Sequence, residues 1–560
     1  MRSNPMRDFP SLFLAATLGW IAFVIASSPA ETPSPPPSGV LKGHIVDGAT
    51  GQTTYARAYV TDSQGNHYFD PRAIIFKHRR DNERNFSCDG KFEVELPPGK
   101  ATVRVERGLE YTPLVETVEI LPGAAREEKF VIGRWANMAK QGWYSGDLHG
   151  HRDLEEMKTL VLAEDVNVGS VITRHNQQDY WKGKKIPETH LVTVDQTHVI
   201  SQFDEEVEYL GKNTLGALIF IGMKKPIPVS DSNPAYPTLA QFADRCHQAG
   251  GFVDAEKPIW LGVAVSAALG QIDSIGIVNN HFHPRSVLHC VGGWGEIVPE
   301  KGFQGNDGLA LWCMELYYRL LNCGFRIPVS AGTASGIMPS PVGYSRVYVK
   351  LPGRFSYDNW VEGLKAGRSF ATNGPILSLR VNGHEIGDVI ELERPGRPLI
   401  VEAEAISLRP LSYLEIVAGG KVIACNDASA DAATLTIEQK LIPCDSTWIV
   451  ARAFEKNDQT ARFAHTSPIY IEVAGKPVLS AEAAAYYKAN TDKVIEFTAA
   501  STLFKNETDR QTALSLYRRA RQIYSALQSP PSDPGNSQRP EAMPHHSGFG
   551  ASGPTTFSSF

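Results

Sequence analysis

The hydrophobic rhythm of the chain changes twice, and this limits the fold more tightly than any single motif. From Val40 to about Val131 apolar residues alternate in short runs: Phe92, Val94 and Leu96, then the turn Pro97-Pro98-Gly99, then Ala101, Val103 and Val105. That spacing describes a hairpin with one buried face. Between Gly142 and Thr372, strand-like runs at 146–148, 168–173, 217–221, 252–255, 274–278, 327–330 and 346–351 are interleaved with helical patterns at 154–164, 238–249, 263–269, 309–323 and 357–366. A strand–helix succession of this kind predicts a largely parallel sheet, open or closed into a barrel. From Gly374 to Val473 the strand pattern returns and predicts a second β-sandwich. Leu514, Tyr517, Ala520 and Ile523 then fall at helical spacing in a segment expected to pack back on the body.

At 560 residues the chain is too long for one core. The expected class is multidomain α/β plus β: a sandwich at 40–135, an α/β unit at 140–373, a sandwich at 374–475 and a helical segment at 480–528. At the N-terminus Arg2 and Arg7 precede an uncharged apolar run at 11–25 and the small residues Ala26, Ser27, Ser28 and Ala30. This is the pattern of a signal peptide, assigned to 1–30 and followed by a polar linker at 31–39. It predicts a periplasmic or secreted protein, with membrane contact only if the segment stays uncleaved as an anchor. The Pro-, Ser- and Gly-rich residues 529–560, which include His545 and His546, are expected to be disordered.

A formal charge of -6 and a pI near 6.3 lack the basic excess that a phosphate backbone demands, so nucleic acid is not an expected partner. The seven cysteines contain no C-x-x-C, which argues against a cysteine-built zinc ribbon. Cys425 and Cys444, in neighbouring predicted strands, are the one expected disulfide.

Chemistry is concentrated at predicted strand ends. In SGDLHGH (145–151), His149 and His151 are two apart, so both imidazoles point to one side of an extended chain and can meet one ion. Chance alone makes roughly half an H-x-H pair in a chain with this many histidines, and His281-Phe282-His283 is another. Other strand ends supply Arg174 and His175; Asp254, Glu256 and Lys257; Asn279, Asn280 and His281; and Ser330, Thr333 and Ser335. Several ends offering His, carboxylate or Lys on one face predict a site there.

Two resemblances follow from these motifs. Residues 40–135 resemble the carboxypeptidase regulatory-like β-sandwich, through G-x-V-x-D-x-x-T-G at Gly43 to Gly51, with His44 before Ile45, and G-x-F-x-x-x-L-P-P-G at Gly90 to Gly99. From about Trp143 to Thr372, GDLHGH, VITRHN, VDAEKP, DSIGIVNNH, LLNCGFRIPVSAGTASG and PVGYSRVYV resemble the PHP (polymerase and histidinol phosphatase) superfamily and its carbaryl-hydrolase-like CehA/McbA group. That likeness implies a distorted, TIM-like β/α barrel that holds divalent metals and activates water against an ester-type or phosphoester bond.

The likeness is partial. The family's H-x-H falls on His149 and His151, and its T-D-H-N on Thr173 to Asn176, with Arg174 in place of the acid. The metal-bridging glutamate corresponds to Glu206 in DEEVE, beside Glu205 and Glu208. The family's G-H falls on Gly216-Ala217, its H-P on Lys257-Pro258 and its D-x-H on Ala334-Ser335-Gly336, so three ligand positions are lost. Glu256 and His281 are the expected replacements. The expected metal set is therefore His149, His151, His175, Glu206, Glu256 and His281, holding one or two divalent ions, zinc or manganese. Glu206 or Glu256 would serve as ligand or general base. Lys257 would pair with a carboxylate or bind an anionic group, and Arg174 would polarise a substrate oxygen, unless both simply make structural ion pairs. The function expected is hydrolysis of an ester, carbamate or phosphoester in a small-molecule or polymer substrate. The alternative is a barrel that has lost catalysis and binds a carbohydrate or surface ligand.

Overall fold

The computed structural model describes residues 37–528, except 177, 210–214, 229–232, 294 and 458. The expected signal segment, the tail and nearly all of the linker lie outside the described residues.

The N-terminal unit is two packed sheets. Lys91–Leu96, Gly39–Asp47 and Ala125–Ile132 form one; Ile74–His78, Glu83–Cys88, Ala56–Asp62, Gly99–Glu106 and Leu114–Ile120 form the other, with the short strand His67–Tyr68 beside Ala56–Asp62. Lys91–Leu96 alternates exposed and buried residues, so Phe92, Val94 and Leu96 meet Phe86, Val103 and Val105 in the core.

The middle region corrects the expectation of a TIM-like β/α barrel. Its helices form where the periodicity places them, at Leu154–Ala163, Leu239–Gln248, Leu261–Ala268, Gly305–Asn322 and Tyr357–Lys365. The strands do not follow the parallel rule that such a barrel requires. Trp143–Asp147, Val168–His175 and Val199–Tyr209 are parallel neighbours, as are Phe252–Ala255, Ser274–Val278 and Val329–Ala331. Gly216–Ile221, however, is antiparallel to both of its neighbours, and so is Arg346–Lys350. Only six residues separate Val199–Tyr209 from Gly216–Ile221, and a parallel crossover needs about a dozen or more. Among the described residues no helix links Val168–His175 to Val199–Tyr209 either; two short strands, Gln178–Asp179 and Leu191–Thr193, lie between them. Strand occupies 39% of the chain and helix 21%, so the class is mainly β with a mixed sheet at its centre.

That sheet continues past residue 373. Ser369–Thr372 pairs with Phe463–Thr466, joining the middle region to a C-terminal sandwich whose second layer is His384–Glu385, Ile376–Val381, Leu399–Ile406 and Thr434–Leu441. Helices Ala481–Ala500 and Glu507–Gln528 fold back on the middle region, where the Tyr487 hydroxyl donates to Leu316 O at 2.6 Å and the Tyr524 hydroxyl to Ala264 O at 2.7 Å. No described helix is long and apolar enough to cross a membrane.

All seven cysteines are free thiols, which corrects the expected Cys425–Cys444 disulfide. Cys425 lies opposite Glu415 in one sheet, whereas Cys444 follows Thr434–Leu441, a strand of the facing sheet.

Buried ion pairs fasten the N-terminal sandwich to the middle region. Arg57 bridges Glu106 and Glu164, and Arg107 and Arg134 both reach Asp165, at 3.0 and 2.8 Å.

Candidate metal centre

The HGH segment leaves the end of Trp143–Asp147 and is fixed by a buried carboxylate. Asp147 accepts the Thr333 hydroxyl at 2.6 Å and backbone N–H groups of Thr333 at 3.0 Å, Gly343 at 2.8 Å and His149 at 3.2 Å. Close approach is possible because neighbouring positions are glycine. A Cβ on Gly332 would lie 2.5 Å from His149 Cβ, and one on Gly150 would lie 2.5 Å from Ser170 O. The sequence shows Asp147 inside the motif but offers no sign that it braces rather than binds.

So held, His149 and His151 converge. Their Nε2 atoms are 2.9 Å apart, and Glu206 Oε2, from Val199–Tyr209, lies 3.3 Å from the first and 3.0 Å from the second. The Glu206 side chain is buried and its Oε1 has no hydrogen-bond partner. His175, at the end of the adjacent parallel strand, lies 3.7 Å from the same Glu206 oxygen and 2.6 Å from Glu208 Oε2. Glu206 thus belongs to two groupings able to hold a metal ion, His149–His151–Glu206 and His175–Glu206–Glu208. Val199–Tyr209 delivers both acids because positions 206 and 208 point to the same side of one strand.

The electrostatics are those of a site built around opposite charges. Burial alone would lower the His149 pKa, but Glu206 at contact distance raises it to about 9. Burial opposes ionisation of Glu206, yet His149 and His151 hold it well below the usual carboxylate range. Burial also works against His175, which Glu208 and Glu206 nevertheless shift upward. Glu208 is raised by burial and by the charge of Glu206.

The other expected site residues lie differently. Glu256 comes within 3.4 Å of His149 Nδ1, but its oxygens are already engaged: Oε1 by Lys257 and by Asn280 Nδ2 at 2.7 Å, Oε2 by Trp260 Nε1 at 2.9 Å. It stands behind His149 rather than among the converging donor atoms. Lys257 pairs with Glu256 and lies over the Trp260 ring at 4.5 Å. Arg174 pairs with Asp179 at 3.0 Å and Glu205 at 3.4 Å and donates to Ile227 O. Glu205, buried beside it, has a pKa pushed up to about 8 by burial. His281 falls in a separate grouping with Cys290 and Glu296. The second H-x-H supplies no shared ligand pair, since His283 bonds Ser286 Oγ at 3.1 Å and Asn280 O at 2.9 Å.

Asp254, Ser330 and Thr333, expected at the site face, form buried supports: Asp254 accepts from Ser274 and Ser330, and Thr333 serves Asp147. Glu208 is the donor that the sequence motif left ambiguous. Its two-residue offset from Glu206 is the signal that could have identified it.

Comparison with known proteins adds no family. No family model matches the chain, and no curated protein matches it. Among solved structures, the minor pilin GBS52 of Streptococcus agalactiae is 13% identical over 18% of this chain and 47% of its own, with a TM-score of 0.15. The fibronectin(III)-like modules of Clostridium thermocellum CbhA are 15% identical over 18% of this chain and 97% of theirs, at 0.13. The Bacillus anthracis TIE protein is 8% identical over 78% of this chain and 50% of its own, at 0.13. The chain thus spans about half the length of the pilin and of the TIE protein. At these scores the likenesses bear on neither fold nor chemistry.

Proposed function

We propose that the protein is an exported metal-dependent hydrolase that cleaves an ester, carbamate or phosphoester bond in a small-molecule or polymer substrate. One observation carries the reading: His149 Nε2, His151 Nε2 and Glu206 Oε2 lie 2.9 to 3.3 Å from one another. Donor atoms bound tetrahedrally to zinc at about 2.0–2.1 Å are roughly 3.3–3.4 Å apart, so the three atoms need open by only a few tenths of an ångström. Without a cation, two imidazole nitrogens and a carboxylate oxygen compete for too few protons, and Glu206 Oε1 stays buried and unpaired.

His149, His151 and Glu206 would hold the first ion, zinc or manganese. His175 and Glu208, with Glu206 between the two sets, would hold a second ion or handle protons. A divalent ion with an open position lowers the pKa of water and polarises the bond to be cleaved. With a single ion held there, His175 and Glu208, 2.6 Å apart, would take a proton from the attacking water and return it to the leaving group. Glu256 stands 3.4 Å behind His149 Nδ1, the side from which carboxylates orient metal-bound histidines, although its oxygens are taken by Lys257, Asn280 and Trp260.

The test is hydrolysis of a panel of aryl esters, carbamates and phosphoesters by protein loaded with zinc or manganese. Turnover should vanish on chelation and in His149→Ala, and should fall by about 10²-fold or more in Glu208→Gln. Activity that survives chelation and His149→Ala would contradict the proposal. Bound metal without turnover of any of the three classes would favour a protein that binds its ligand without cleaving it.

A further inference from the structure

A second set of donors, different in kind, lies outside the His149 grouping. His281 follows the strand Ser274–Val278. Its imidazole is 2% exposed, and its Nδ1 has no hydrogen-bond partner. Nε2 is the ring nitrogen that faces Glu296, so it is the atom placed to meet an ion shared with that carboxylate. Cys290 and Glu296 come from the loop that follows, and one donor atom from each of the three residues lies within 4.8 Å of the others.

The loop aims the carboxylate. Glu296 Oε2 accepts the backbone N–H groups of Val291 and Gly292, each at 3.1 Å, while Oε1 stands 4.0 Å from His281 Nε2. That gap is too long for a hydrogen bond. It is close to the separation of two ligands sharing one ion, roughly 3.3–3.8 Å for nitrogen, oxygen and sulfur around zinc. Glu296, Gly292 and Gly295 also line a cleft of 440 Å³ that runs to the helix Ala481–Ala500, so the Glu296 side of the grouping borders the cleft.

We propose that His281, Cys290 and Glu296 hold a divalent ion of the thiolate-accepting class, such as zinc, separate from the ion of the His149 grouping. Binding releases the Cys290 thiol proton to solvent and leaves a fourth position for water. The ion would pin Cys290 and Glu296 to the strand end that carries Asn280, whose side chain bonds Glu256. Its task is to brace that end of the sheet. The proposal does not depend on the hydrolase reading, because the two groupings share no residue.

Cobalt(II) separates the sites, because only this grouping contains sulfur. Cobalt chloride titrated to saturation into the chelator-stripped full chain should produce the near-ultraviolet thiolate-to-cobalt charge-transfer absorption. The band should persist in His149→Ala and be lost in Cys290→Ser. Glu296→Gln and His281→Gln, which keep the thiol, should both need more cobalt to reach half the band. Absence of the band in the wild type, or its survival in Cys290→Ser, would overturn the proposal. If Cys290→Ser fails to fold, as judged by melting in chelator, an unchanged titration in both other variants would overturn it.

Discussion

Thr333 donates its hydroxyl to Asp147 Oδ2 at 2.6 Å, tying the loop after Val329–Ala331 to the root of the HGH segment. The family resemblance expects metal ligands at 334–336, and this chain has Ala334, Ser335 and Gly336 there. The loop positions the site instead of ligating it. Thr333→Val should cost about 1–3 kcal/mol in unfolding free energy, because a buried carboxylate loses a donor. It should also weaken metal binding, read by titration. A loss of stability with unchanged metal affinity would show that Asp147 does not set the position of His149.

His149 gives the protein a pH signature. Its pKa in the folded, metal-free chain is about 9 against an ordinary 6.5. Protonated His149 therefore contributes stability fully below about pH 6.5, and the contribution is lost as pH rises through about 9. Glu205, raised to about 8, and Glu164, raised to about 7, titrate with the same sign. The His149 share is therefore the difference between wild type and His149→Ala. Melting in chelator should show the wild-type advantage shrinking from pH 6.5 to 9, while the increase in melting temperature on adding zinc grows over that range, as the ion needs neutral imidazole. A wild-type advantage that grows with pH in chelator would contradict the assignment.

The buried Arg57 pair couples the N-terminal sandwich to the rest of the chain. Arg57 and Glu164 are 6% and 2% exposed, so removing the cation strands a carboxylate in the interface. Arg57→Ala should destabilise by about 3–5 kcal/mol in equilibrium denaturation. Replacing both partners by apolar residues, Arg57→Met with Glu164→Leu, should recover much of that loss. Equal losses for the single and double variants would mean that the pair contributes through packing alone.

Local order was legible in the sequence, and pairing was not. Phe92, Val94 and Leu96 declare their strand because alternation is a local property, and the helix Leu154–Ala163 declares itself by spacing. Whether Gly216–Ile221 runs parallel or antiparallel depends on partners far along the chain, and the strand–helix rhythm alone suggested a parallel β/α barrel where the sheet is mixed. At the site, His149, His151 and His175 were readable because each ends or follows a strand, whereas Glu206, inside Val199–Tyr209, was reached only through the family resemblance. Glu256 was misleading for the same reason: strand-end position does not reveal that Lys257, Asn280 and Trp260 already occupy its oxygens. The partners of His281 were hidden because Cys290 and Glu296 sit in an irregular loop without periodic signal.

The proposed function requires His149, His151 and Glu206 to converge on one ion. Metal content of the purified chain, stripped and reloaded with zinc or manganese, tests it directly by comparing wild type with His149→Ala and with Glu206→Gln. The wild type should hold at least one tight equivalent that both variants lose. Wild-type protein without stoichiometric metal, or variants that retain the full wild-type content, would contradict it.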